Sequence, residues 1–103
     1  MRKITASDFQ GDQAWQAMDI ERIQDATIRL HWTDKPYIWH INDGPEVFVV
    51  LDGEVDMHVK ENGEKKIIKL EVGDIFHAQH GDEHVAHPIG VSRILVIEKA
   101  GSV

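Results

Sequence analysis

Apolar and polar residues alternate along much of the chain, with the two-residue period of a β-strand. In residues 27–32 and again in residues 55–60 every second side chain is apolar, which predicts strands with one buried face. Residues 46–51 are apolar on both faces apart from Glu46, so both faces of that strand are expected to be covered. The pattern predicts about eight short strands between residues 27 and 99.

Glycine-containing turn signals separate these strands. Asp52-Gly53 predicts a hairpin, Asn62-Gly63 predicts a type I′ turn, and Pro88-Ile89-Gly90 predicts a further turn. The chain has no glycine-rich phosphate loop and no long helical period. Many short strands with tight turns are typical of an all-β fold closed into an antiparallel sandwich or barrel, which also removes exposed sheet edges.

The length of 103 residues predicts a single domain over residues 1–103. We expect residues 27–99 to form the barrel and residues 100–103 to form a frayed tail. Residues 1–26 are expected to form an N-terminal arm that packs on the outside of the barrel and buries Trp15 as a packing residue. Within this arm, residues 18–20 can begin a strand and residues 13–18 can form a short helix.

The charge and the composition narrow the class of protein. A net charge of −7 argues against nucleic acid or an anionic membrane surface as the main partner, because phosphate binding needs clustered lysine and arginine. The chain has no cysteine, which excludes disulfides and thiolate metal sites. No apolar run approaches the ~20 residues that span a bilayer, and no signal peptide is apparent. The expectation is a soluble cytoplasmic protein.

His40 and Glu46 carry the first sign of chemistry. Their strand parities can aim both side chains into the barrel, where a carboxylate costs several kcal/mol unless it is paired or binds a metal. Imidazole and carboxylate together suit a divalent cation, and a set of two histidines and one carboxylate leaves coordination positions open for water or substrate.

The spacing of these residues resembles the two motifs of the cupin family. In the first motif Asp34 stands at a glycine position, and it is followed at the family's spacing by His40, Asn42, Glu46 and Gly53. In the second motif Gly73, Gly81 and His84 match, Gln79 replaces a proline and Pro88 replaces an asparagine. The resemblance covers about residues 34–88 and identifies the chain as similar to a small single-domain bacterial cupin.

The resemblance implies a double-stranded β-helix, or jelly-roll, barrel that binds Fe, Mn, Ni or Zn. It assigns His40, Glu46 and His84 as metal ligands. Asn42 stands where a histidine is expected, so it is either a weak fourth ligand or a hydrogen-bonding partner of the ligands. The alternative is a metal-free pocket in which hydrogen bonds from the two histidines satisfy Glu46.

The remaining histidines divide into two groups. His77 can replace the ligand lost at Asn42, and His80 is expected at the mouth of the pocket. His87 has the opposite parity to His84 and should point away, while His31 and His58 are expected at the surface. The residues expected to line the pocket or the core are Ile38, Phe48, Val50, Ile75 and Phe76.

Three functions remain open from the sequence. The first is a metal-dependent enzyme acting on a small molecule, such as a dioxygenase or an isomerase. The second is a binding module for a small metabolite without turnover. The third is a cupin that is retained for its dimeric structure without metal. A homodimer is expected in each case, because the strand at residues 46–51 is apolar on both faces and the chain is short.

Overall fold

The computed structural model describes residues 1–102, and only the last residue of the predicted tail lies outside this range. A short 3₁₀ helix, Ala6–Asp8, precedes seven strands. The strands are β1 (Gln16–Ile23), β2 (Ala26–Thr33), β3 (His40–Ile41), β4 (Glu46–Glu61), β5 (Glu64–Leu70), β6 (Ile75–Ala78) and β7 (Glu83–Lys99). All of the strand pairs are antiparallel, and the all-β prediction is confirmed.

The long strands β4 and β7 organise the fold because they pair with each other along most of their length. The beginning of β4 and the end of β7 form a first layer with β1, β2 and β6. The end of β4 and the beginning of β7 form a second layer with β3 and β5. The core side chains come from both layers and are Phe48, Val50, Val55, Met57, Val59, Leu70, Ala86, Ile94 and Val96.

Two predicted turns are wrong, because the chain continues through them as strand. The backbone at Gly53 has a φ of 81° and lies within β4, where the register with β7 shifts on both sides of Asp52. Likewise Gly90, with a φ of 73°, lies within β7. A glycine with positive φ serves a β-bulge as well as a turn, and bulges bend long strands. By contrast, Asn62 and Gly63 both have positive φ, which confirms the predicted type I′ turn.

The N-terminal segment contributes strand β1 and also covers part of the outer face of the sheet. Strand β1 pairs with β2 and belongs to the first layer, so this part of the predicted arm does not lie across the sheet, and no short helix forms at residues 13–18. Before it, the backbone of Gly11 packs on the ring of Trp32, where an added Cβ would lie only 2.7 Å from Cε3. Arg93 Nε donates to Phe9 O at 2.7 Å. The segment therefore buries Trp32, rather than the predicted Trp15, on the outer face of the sheet.

None of the helices among residues 1–102 is long and apolar enough to cross a membrane.

Candidate functional site

A cavity of about 260 Å³ opens between the two layers. Its walls carry aromatic, imidazole and carboxyl side chains together with a few aliphatic ones. The lining residues are Trp15, Arg29, His31, Tyr37, His40, Glu46, Phe48, His84, Ala86, Val96, Glu98 and Ser102. The cavity therefore holds the predicted ligands His40, Glu46 and His84.

His84 lies between two oxygen atoms. It is 3% exposed, and its Nε2 is 2.7 Å from Asn42 Oδ1 and 3.3 Å from Glu46 Oε1. An amide oxygen only accepts, so the shorter contact requires Nε2–H to donate to Asn42. Glu46 Oε1 is then left buried without a hydrogen-bond partner, as are Asn42 Nδ2 and His84 Nδ1. Buried polar atoms of this kind are uncommon and indicate a binding role or strain.

His40 presents a free nitrogen to the same region. It is the register partner of His84 across β3 and β7, and the two ring centroids are 4.4 Å apart. His40 Nδ1 lies 3.0 Å from Ile38 O. Because a carbonyl oxygen only accepts, this contact places the proton on Nδ1 and leaves a lone pair on Nε2. A histidine that donates from one ring nitrogen to a carbonyl and keeps the other free is the usual form of a metal ligand.

A second carboxyl, which the sequence analysis missed, faces Glu46. Glu98 lies directly opposite Glu46 in the register of β4 and β7, and both line the cavity. Burial raises the pKa of Glu98 to about 8, and the hydrogen bond and negative charge of Glu46 add to the shift. Burial also opposes ionisation of Glu46, but the nearby imidazole of His84 and a hydrogen bond from Glu98 outweigh it and lower the pKa of Glu46. At neutral pH the proton of this pair therefore lies on Glu98.

His31 is also part of the cavity wall, so its predicted place on the surface is wrong. Burial lowers the pKa of His31 to about 4, and the charge of Arg29 adds to the shift, so the ring is neutral at neutral pH. Arg29 lines the cavity as well, but its Nε is paired with Asp19 Oδ1 at 2.8 Å. The alternation along β2 indicates the position of both residues. Leu30 and Trp32 occupy one face of the strand, so Arg29 and His31 lie on the opposite face.

Several other candidates lie away from the cavity. His77 and His80 are exposed and do not line it. His87 and His58 are half-buried and stack on each other with ring centroids 3.9 Å apart, which agrees with the prediction that His87 points away from His84.

The five residues predicted to line the pocket or core divide by burial. Phe48 and Val50 are buried, and Phe76 packs against the core. The side chains of Ile38 and Ile75 are 67% and 64% exposed, so their predicted placement is wrong. Ile38 precedes the two-residue strand β3 and lies outside its pairing with β7.

Within residues 1–102, no three or more histidine, aspartate or glutamate side chains are arranged so that they could hold a metal ion together. The donor types nevertheless suit a divalent cation, since a buried carboxylate oxygen without a partner lies beside two imidazoles. The residues therefore fit a metal by their chemistry and burial. Among residues 1–102, His84 and Glu46 are the one histidine–carboxylate pair whose nitrogen and oxygen atoms lie within 4 Å of each other.

Comparison with known proteins identifies the fold. No protein-family model matches the chain, and no curated protein does. Among solved structures, a cupin-2 domain containing protein from Shewanella frigidimarina superposes with a TM-score of 0.77 and 26% sequence identity. The match covers 90% of this chain and 86% of that one. The protein has the cupin fold.

Two larger enzymes contain a similar cupin fold. A hydroquinone 1,2-dioxygenase solved in complex with Fe³⁺ has a TM-score of 0.77 at 19% identity, covering 87% of this chain and 29% of that one. The hydroquinone 1,2-dioxygenase from Sphingomonas sp. TTNP3, solved with 4-hydroxybenzoate bound, also has a TM-score of 0.77, at 23% identity and with 88% and 29% coverage. At these identities the likeness shows the fold alone.

Proposed function

We propose that this cupin binds a divalent metal ion and a small molecule in the cavity, with His40, Glu46 and His84 as the metal ligands. The observation that carries the proposal is the buried Glu46 Oε1, which has no hydrogen-bond partner and lies 3.3 Å from His84 Nε2. A cation would satisfy this oxygen together with the free Nε2 of His40. The Fe³⁺ in a dioxygenase of the same fold supports the choice of a metal.

Asn42 is then either a weak fourth ligand or a partner that orients His84. Its Oδ1 already accepts from His84 at 2.7 Å, and its backbone is fixed by Asn42 N donating to Asp82 O and Gly81 N donating to Asn42 O. An amide held in this way favours the orienting role, because a hydrogen bond to one ring nitrogen sets the tautomer of a ligating imidazole. The nitrogen of His84 that is then left to hold a metal is Nδ1, which is buried without a hydrogen-bond partner.

A bound metal of the Fe, Mn, Ni or Zn class would act as a Lewis acid and leave positions open for the small molecule. The chain's own residues define the rest of the site. Glu98 holds a proton beside Glu46, His31 is neutral, and Phe48 and Val96 supply apolar wall. Such a site suits a metal-dependent enzyme, with dioxygenase and isomerase chemistry as the candidates.

The second candidate is a binding module for a small metabolite, without turnover. A cupin retained for its dimeric structure, without metal, is the third. One observation favours the binding module: His84 Nε2 already has a partner in Asn42, and the three ligands do not converge as a group. The binding module would be favoured if the protein binds a small molecule but does not convert it. This should hold with each of the four metals and under both aerobic and reducing conditions.

Metal-dependent stabilisation tests the proposed function. At a metal concentration about 100 times Kd, binding to the folded state alone adds about 2.7 kcal/mol and should raise Tm by about 10 °C or more in a domain of this size. We expect this shift in scanning calorimetry of chelator-treated protein with at least one of Fe, Mn, Ni or Zn, and no shift in His84→Ala. An unchanged Tm with all four metals would contradict the proposal.

We further propose that the protein is a homodimer. We also propose that it is located in the cytoplasm, because a chain without cysteine fits a reducing compartment. The outer face of the first layer carries Leu51 and Ile75, which are 39% and 64% exposed. Light scattering after size exclusion should give twice the chain mass of 11.7 kDa, and Ile75→Lys should shift the protein to monomer. Ile67→Lys on the other layer, where Ile67 is 61% exposed, is the matched control. A wild-type monomer at high micromolar concentration would contradict the dimer.

A further inference from the structure

Trp15 occupies a strained position at the wall of the cavity. It immediately precedes β1, and its φ is 60°, in the left-handed region that bulky residues rarely adopt. Strain of this kind persists where surrounding structure holds the residue in place, and it is found preferentially at binding and catalytic sites. The side chain lines the cavity and packs against the core. Its placement therefore calls for a reason beyond packing.

Aromatic and imidazole rings continue from Trp15 to the candidate metal ligands. The ring of Trp15 meets Tyr37 edge to face at 5.3 Å, and Tyr37 meets His40 in the same way at 5.4 Å. The ring of His40 in turn meets that of His84 at 4.4 Å. Faces and edges of this kind attract a flat π-system through stacking or T-shaped contacts. Aromatic and imidazole rings therefore line the cavity from Trp15 to His84.

Two polar atoms on the same side of the cavity lack partners. Trp15 Nε1 and His31 Nδ1 are buried without a hydrogen bond, and the rings of these residues are 6.0 Å apart. An indole nitrogen can only donate, so it needs an acceptor such as an oxygen atom. With His31 neutral, this side of the cavity offers hydrogen bonds without a fixed positive charge on the imidazole.

The size of the cavity suits a small ligand. An apolar cavity of about 150 Å³ holds a benzene molecule, whereas this cavity has about 260 Å³. There is room for one six-membered ring with one or two small substituents.

We propose that Trp15 is a specificity-determining residue that stacks on a planar, single-ring aromatic ligand and donates from Nε1 to an oxygen substituent of that ligand. The inference rests on the proposed function in placing the ligand in this cavity. It adds the class of ligand and a residue that the sequence analysis assigned to packing.

Ring-matched probes test the proposal. The aromatic probes are benzamide, phenol and benzoate, and the saturated controls are cyclohexanecarboxamide, cyclohexanol and cyclohexanecarboxylate. Affinities are measured by ¹H–¹⁵N NMR titration on chelator-treated and on zinc-loaded protein. We expect at least one aromatic probe to bind about tenfold or more tightly than its saturated control, with shifts at Trp15, Tyr37 and Phe48.

Variants then assign the preference to Trp15. Trp15→Ala should weaken the aromatic probe at least about tenfold. Trp15→Phe keeps a ring but loses the N–H. It should therefore reduce the preference for the oxygen-bearing probe over benzene, titrated as the unsubstituted ring, about fivefold. Trp39→Ala, at a tryptophan that is 43% exposed and does not line the cavity, should change neither. Retained Tm and amide dispersion in the Trp15 variants show that they are folded.

The outcomes separate this inference from the proposed function. Equal binding of aromatic and saturated probes, no binding of any aromatic probe, or unchanged binding in Trp15→Ala would overturn the role of Trp15 even if the protein binds metal. Ring selectivity that depends on Trp15 in a protein that binds none of the four metals would uphold it and overturn the metal centre alone.

Discussion

Glu46→Gln and His84→Ala are each expected to weaken divalent-metal binding at least about 100-fold. Loss of a ligand should cost more than the roughly 10- to 100-fold that is typical for residues that hydrogen-bond to the ligands. Glutamine keeps the size of Glu46 but replaces a charged oxygen donor with a neutral amide, and alanine removes the imidazole of His84 altogether. Calorimetric titration of chelator-treated protein with Ni²⁺ or Zn²⁺ measures the affinity directly.

The matched control for these variants is His87→Ala. His87 lies on the same strand, three residues after His84, and stacks on His58 outside the cavity. It should bind metal as the wild type does. Equal affinities in wild type, Glu46→Gln and His84→Ala would contradict the assigned ligands, and a loss in His87→Ala of the same size would move the site to the outer face.

Gly53→Ala is expected to destabilise the protein by about 3 kcal/mol or more, from the left-handed backbone and the clash together. The φ of Gly53 is 81°, and an added Cβ would lie 2.4 Å from Val91 O and 2.8 Å from Ser92 Oγ. The obstructing atoms include backbone of β7, which cannot move aside without disturbing the bend that both long strands share. Urea denaturation at neutral pH measures the loss.

Gly63→Ala separates the two causes of this loss. Gly63 has nearly the same φ, 78°, but nothing lies within 4 Å of an added Cβ. Only the backbone cost applies there, about 1 kcal/mol. Equal losses at the two positions would show that the close approach of β4 and β7 at Gly53 does not constrain the fold.

This bend is also what assembles the candidate site. Glu46 begins β4 in the first layer, whereas His84 lies near the beginning of β7 in the second layer and pairs with Val59. The two long strands must change direction together for His84 Nε2 to come within 3.3 Å of Glu46 Oε1. Destabilisation at Gly53 should therefore weaken the site along with the fold.

Alternation and motif spacing were enough to predict the all-β fold and to bring His40, Glu46 and His84 to one cavity. They failed at Gly53 and Gly90, because a glycine with positive φ satisfies a turn and a bulge equally, and local sequence does not say whether the next strand returns or continues. That choice depends on the long pairing of β4 with β7, which joins residues far apart in the chain.

The missed wall residues have a different cause. Glu98 continues the inward face of Ile94 and Val96, so its parity was available, but its importance arises only from lying opposite Glu46. His31 alternates with apolar residues, a pattern that predicts an exposed side chain. It is buried because it lines the cavity and its ring packs near that of Trp15. Both residues owe their pKa shifts first to burial, which local sequence does not report.

Elemental analysis of protein purified without an affinity metal or a chelator tests the central claim most directly. The proposed site predicts about one equivalent of one divalent metal per chain in the wild type, and less than about a tenth of an equivalent in both Glu46→Gln and His84→Ala. Metal content that is the same in the wild type and in both variants, or a wild type that carries none and takes up none when metal is added, would contradict it.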